Sequence, residues 1–187
     1  MAVAAAIALS ACANGAPPPA SADRCRPDAA SLDSRAGRAW MRDNGWRYAD
    51  AGAARTAYEK LLRDASPWPD WVAPVPQTLP AGTRFEMALA PGQGVDRPGG
   101  FGTFDRIAKA SDVRHYLAVR RAWKPVVDRV VTYEVTQPLP VATGPVGPQI
   151  DPASCRLLTG RWSQFQMQVP AAKRMRYIRV IATRPLR

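Results

Sequence analysis

Lysine, histidine and cysteine are all scarce in this sequence of 187 residues, and each scarcity closes a route. The only histidine is His115, beside Arg114 on a segment of helical spacing. No cluster with zinc-ligand spacing can be assembled, and a cysteine nucleophile would have His115 as its sole histidine base. No metal is implied. Long hydrophobic runs are also missing: "AVAAAIALSAC" is too short for a membrane-spanning helix. The glycines of "RPGGFGTF" lack the spacing of a dinucleotide fingerprint and do not open a helix in a strand-helix-strand unit. No internal repeat and no second domain boundary is visible.

Arginine, in contrast, is abundant. Of 26 basic residues only Lys60, Lys109, Lys124 and Lys173 are lysines, and the formal net charge is +11. Such a surface can serve a nucleic acid, an anionic membrane face or the phosphates of a dinucleotide. The arginines are scattered through apolar segments rather than clustered, which argues against nucleic acid.

The short apolar run ends in "LSAC", Leu9 to Cys12, and this resembles the bacterial lipobox. The resemblance implies a signal peptide over residues 1–11, lipid attachment at Cys12, a flexible tether over 12–30 and a place in the bacterial envelope. No Lys or Arg precedes the apolar run, a departure from the export pattern that a start upstream of Met1 would remove. With Cys12 given to lipid, Cys25 and Cys155 remain in an oxidising compartment and are expected to form a disulfide. The loop it would close, about 130 residues, corresponds to on the order of 4 to 5 kcal/mol in the chain-entropy model. Two unrelated buried thiols are the alternative.

Residues 31–65 are rich in Ala, Arg and Leu and broken at Gly45, which predicts two short helices burying Trp40, Trp46, Tyr58, Leu61 and Leu62. The prolines of "SPWPDWVAPVPQTLPAG" forbid further helix. From Thr83 the period becomes two, with Phe85, Met87 and Leu89 alternating against Arg84, Glu86 and Ala88, as in a half-buried strand. Ser111 is the expected cap of a helix running to Trp123. "VVTYEV", "RWSQFQMQV" and "RYIRVIAT" read as strands, giving an α+β chain. In the second of them Phe165, Met167 and Val169 share one face while Gln164, Gln166 and Gln168 share the other. That glutamine row is either a solvent-facing edge or the lining of a polar cleft.

The order Tyr133, Glu134, Val135, then Pro138, Gly144, Pro145, Pro148, then Gly160, then Gln164 and Phe165 resembles the necrotizing-toxin domain that hydrolyses NAD. This family is a branch of the ADP-ribosyltransferase superfamily, and the match covers roughly the C-terminal half of the chain. The resemblance implies a small split, mainly antiparallel sheet of the ADP-ribosyltransferase-like type over 79–187, with residues 31–78 as a helical preface. It implies hydrolysis of NAD or NADP to nicotinamide and ADP-ribose, NAD being substrate rather than cofactor, and a cognate immunity protein as partner. Gln164 would hold the ribose. Arg84 or Arg97 would hold the pyrophosphate, Arg84 being preferred, although the family's "Asp-Arg-Phe-Gly" run is absent here. Thr103 and an aromatic, Phe104 or Phe101, would shape the nicotinamide end, and Trp162 would wall the pocket or else be a plain core tryptophan. A glutamine at position 164 cannot act as a base at neutral pH, which favours transfer to water over transfer to protein. Protein ADP-ribosylation and a non-catalytic envelope lipoprotein that binds a partner or an anionic surface are the alternative functions.

Overall fold

Two side-chain caps set the start of the chain's ordered architecture. In the computed structural model, which describes residues 31–186, helix α1 spans Arg35–Asn44 and α2 spans Ala51–Asp64. Ser34 accepts from the Gly37 N–H and Asp50 from the Ala53 N–H, caps worth about 1 kcal/mol each. Gly45 ends α1, as its position predicts, and Gly45–Arg47 form one 3-10 turn. The helices bury Ala36, Trp40, Ala54 and Tyr58 against Ile150 and Leu157. Trp46 does not join them: it is 71% exposed, with the Arg47 guanidinium 4.2 Å from its ring centroid. The 3-10 turn after Gly45 breaks the helical period that put Trp46 on the inner face in the sequence reading.

Nine strands follow: β1 Val75–Leu79, β2 Arg84–Leu89, β3 Phe101–Gly102, β4 Arg129–Val135, β5 Leu139–Pro145, β6 Gln149–Asp151, β7 Arg156–Leu158, β8 Ser163–Met167 and β9 Ile178–Pro185. They form a four-stranded sheet ordered β1-β5-β8-β3, a three-stranded sheet ordered β2-β4-β9, and the ribbon β6-β7. All strand pairs are antiparallel. The architecture is therefore α+β with mainly antiparallel sheets, as the alternation predicts. Phe85, Met87, Tyr133, Val135, Phe165 and Met167 project from both larger sheets into one core, each burying an apolar side chain worth roughly 1.5–3 kcal/mol.

Beyond this shared core, a backbone bridge joins the two larger sheets. Glu86 N–H donates to the Thr103 carbonyl at 2.9 Å and Thr103 N–H returns to Glu86 at 3.1 Å. Gly102 permits this: a Cβ there would lie 2.5 Å from Phe165 Cζ and 2.8 Å from Phe85 Cδ2, so only glycine brings the strand so close to both rings.

Helix α3 is shorter than expected, Ala110–His115, and its N-cap is Lys109, not Ser111. Asp112 decides the start, its carboxylate accepting from the Ala108 and Lys109 N–H groups at 2.9 and 3.0 Å. The stop is set by Arg114, whose guanidinium donates to the carbonyls of Val119, Lys124 and Pro125. Those carbonyls are satisfied outside a helix, and Ala118 takes a left-handed φ of 48° that continued helix forbids.

The lipobox, Cys12, the tether and Cys25 lie outside the described residues. Cys155 sits in the turn between β6 and β7 at φ 51°. The division drawn between residues 78 and 79 falls inside β1, which pairs along its whole length with β5. No helix among the described residues is long and apolar enough to cross a membrane.

Candidate functional site

The junction of the two sheets opens into a cleft of about 610 Å³, within the range of small-molecule sites. Its walls come from β2, β3 and β8, from Pro67 and Trp68 after α2, from the Gly147–Gln149 stretch and from the connection between α3 and β4. Most of that surface is apolar, with Thr103, Gln149, Gln164, Gln166, Glu86 and Lys124 as its polar and charged members.

Gln164 stands on β8, an interior strand between β5 and β3, so the glutamine row is not a sheet edge. Along the row Gln164 is buried and Gln166 half-buried, both in the cleft wall, while Gln168 reaches solvent. The Gln164 Nε2 donates to the Pro67 carbonyl at 2.6 Å, and the Gly147 N–H donates to the same oxygen at 2.8 Å. Because a carbonyl can only be met by the amide nitrogen, the orientation of Gln164 is fixed and Oε1 is what it can offer a ligand. Gln149 is held the same way, its Nε2 on the Ser66 carbonyl, and its Oε1 is buried with no hydrogen-bond partner.

Thr103 is buried in the cleft wall and locked by Asp105. Its hydroxyl donates to Asp105 Oδ2 at 3.3 Å and accepts from the Asp105 N–H at 3.1 Å. The same oxygen takes the Ser163 N–H and hydroxyl at 2.8 and 2.7 Å, tying β3 to β8 beside the cleft. Phe104 is 46% exposed and lies against Phe165, ring centroids 5.1 Å apart, outside the wall. Trp162 is stacked on Tyr116 at 4.9 Å and packs among Ile107 and Val113, also outside the wall.

Neither expected arginine lines the cleft. Arg84 gives its Nε to Glu134 Oε2 at 2.9 Å across the β2-β4 register, and Arg179 donates to the other carboxylate oxygen. The Arg84 bond first, then that of Arg179, holds the Glu134 carboxyl below its ordinary pKa. Arg97 is exposed on the turn before β3. Glu86, the carboxylate in the wall, accepts from Arg184 and from the Ile107 N–H at 2.7 Å, so it is committed to structure. His115 is exposed. No group of three or more His, Cys, Asp or Glu among the described residues could hold a metal.

Sequence reasoning missed Lys124, Gln149, Asp105 and Trp68. Only Lys124 carried a signal, as one of four lysines in an arginine-rich chain. The other three gain their roles from contacts between segments far apart in sequence.

No family model matches the chain, and no curated protein matches it in sequence. Among solved structures it is similar to Tne2 as seen in complex with Tni2, at 21% identity and a TM-score of 0.54, over 64% of this chain and 97% of that one. At that identity the likeness is one of fold. Rhs1-CT in complex with its cognate immunity protein RhsI1 follows at 18% identity, a TM-score of 0.39 and coverage of 60% and 80%. Tse6 in complex with Tsi6 stands at 16%, 0.38, and 87% and 98%. The last two are too distant in shape to support any inference.

Proposed function

We propose that the cleft binds NAD or NADP and hydrolyses the bond between nicotinamide and ribose, in a toxin-like domain. The observation that carries this reading is Gln164: a buried amide on an interior strand, oriented by Pro67, opening into a mostly apolar cleft whose one carboxylate is already committed. The chemistry demands little more. The C1′–N bond breaks with its electron pair leaving on nicotinamide, water adds to the resulting oxocarbenium-like carbon, and one proton is released to solvent. Groups that orient the ribose and stabilise developing positive charge are the main need. The Gln164 Oε1 presents a negative dipole end for that purpose and can accept from a ribose hydroxyl. Thr103, braced by Asp105, shapes the floor.

By the same reading the chain belongs to the envelope through Cys12, Cys25 pairs with Cys155, and a dedicated protein partner blocks the activity. The last point is supported by the fold neighbour Tne2, whose structure is a complex with Tni2.

The test incubates the protein, purified under oxidising conditions, with NAD and with NADP, and follows nicotinamide and ADP-ribose by chromatography. Wild type is expected to release both products, and Gln164→Ala to lose about 100-fold or more in turnover while remaining folded. Label retained on protein after denaturation would move the activity to ADP-ribosyl transfer. A folded sample inert to both dinucleotides would overturn the reading in favour of a non-catalytic binding protein.

A further inference from the structure

A cation set into the wall of a cleft needs an anion, and the cation of this cleft has none of its own. Lys124 lies on the connection between α3 and β4 and lines the cavity. Its ammonium donates to the Ala88 carbonyl at 2.7 Å and to Gln93 Oε1 at 3.4 Å, both neutral acceptors. An ammonium has three N–H bonds, so one remains. No carboxylate among the described residues forms an ion pair with it.

Its surroundings add positive charge rather than cancel it. Arg114, close by, is spent on three backbone carbonyls, again neutral acceptors. Arg121 repels Arg114 in turn, with Asp151 as the opposing carboxylate. Burial first, and then the Arg114 charge, push the Lys124 ammonium below its ordinary pKa. Half-buried charge of one sign, unpaired, is costly unless a ligand of the other sign completes it. Arg84 offers no such opening, being 65% exposed at its side chain, paired with Glu134 and outside the wall.

We propose that Lys124 is the anion anchor of this cleft and takes a phosphate oxygen of a nucleoside diphosphate, in place of Arg84 or Arg97. That the diphosphate is the pyrophosphate of NAD rests on the reading of the preceding subsection; that the cleft holds an anion subsite at Lys124 does not. Two tryptophans in the wall, Trp68 and Trp123, report on occupancy by fluorescence.

The experiment titrates the wild-type chain with ADP, inorganic pyrophosphate, orthophosphate and adenosine, and repeats each with Lys124→Met and Lys124→Arg. Met keeps the apolar stem and removes the charge. ADP and pyrophosphate are expected to bind, adenosine at least about tenfold more weakly than ADP, and Lys124→Met to lose about tenfold for ADP and nothing for adenosine. Lys124→Arg restores part of the loss. In turnover the Met variant is expected to raise KM about tenfold at nearly constant kcat. Binding of orthophosphate equal to that of ADP would overturn the nucleoside part of the assignment. Equal affinity of wild type and Lys124→Met for ADP would overturn the anchor. Should the Met variant not fold, acylation of the wild-type lysines read by peptide mass serves instead: ADP must protect Lys124 and leave Lys60 and Lys173 reactive, and equal labelling with and without ADP overturns the proposal. Hydrolysis of NAD with an unchanged KM in Lys124→Met would sink the anchor and leave the hydrolase. ADP binding through Lys124 without NAD cleavage would do the reverse.

Discussion

Glu134 is the residue on which two strands converge electrostatically. It accepts from Arg84 on β2 and from Arg179 on β9, so one carboxylate ties both outer strands of the three-stranded sheet to β4. Those bonds lower its pKa from the ordinary 4.5, the Arg84 bond most. The sign follows from linkage: a carboxyl with a lower pKa folded than unfolded stabilises the fold fully above its unfolded value. It loses that contribution as pH falls below 4.5 and through the depressed folded value. Denaturant midpoints measured from pH 6 down to pH 2 should therefore fall less steeply for Glu134→Gln than for wild type. Parallel curves would mean that both arginines let go of the carboxylate in solution.

At the scale of elements, β3 is held to its place by the want of one side-chain atom. Gly102→Ala would place a methyl inside the van der Waals shells of Phe165 and Phe85, and overpacking of this kind costs about 1–3 kcal/mol. The expected result is a lower melting temperature together with weaker ligand binding, because moving β3 also moves Thr103. A variant that melts with wild type would show that the rings can withdraw. Strands such as β2 and β8 were legible because burial on one face imposes a period of two on the sequence, and the same alternation put Gln164 and Gln166 on one face. What alternation could not say is that β8 is interior, since that depends on β3 arriving from some sixty residues upstream. Helix α3 misled for a physical reason: Val113, Tyr116 and Leu117 have helical spacing, but Arg114 captures carbonyls beyond the first turn and ends the helix at His115. Lys124 stood out in composition, but it lies in irregular chain where no periodicity assigns it a face, and Gln149 gave no sign at all on a strand of three residues. Arg84 was legible as a strand residue and misplaced as a cleft residue, since its ion pair with Glu134 joins positions fifty apart.

For the whole molecule, the helices are part of the fold that carries the cleft. Ile150 and Leu157 of the β6-β7 ribbon are buried by Trp40, Ala54 and Tyr58, and Gln149 and Gln164 grip the carbonyls that follow α2. Removing residues 31–65 would uncover that apolar patch and free Pro67, so the truncated chain should bind an apolar dye and lose cooperative melting. A truncated chain that melted cooperatively at the wild-type temperature would make the helices dispensable. The net charge of +11 gains a meaning at this scale too, because a positive surface draws polyanionic small molecules toward a mouth whose wall already holds one unpaired ammonium.

The grip of Gln164 on Pro67 also has a thermodynamic face. A free glutamine must surrender its rotamers when a ligand arrives, at about 0.5–1.5 kcal/mol for an immobilised side chain of this kind. Here the backbone of a distant segment has frozen those rotamers before any encounter, at the expense of folding rather than of binding. The penalty is met once, when the chain folds, and not again each time a ligand binds. Loosening Pro67 should thus appear in calorimetry as a less favourable binding entropy, with the enthalpy of the amide contact nearly intact.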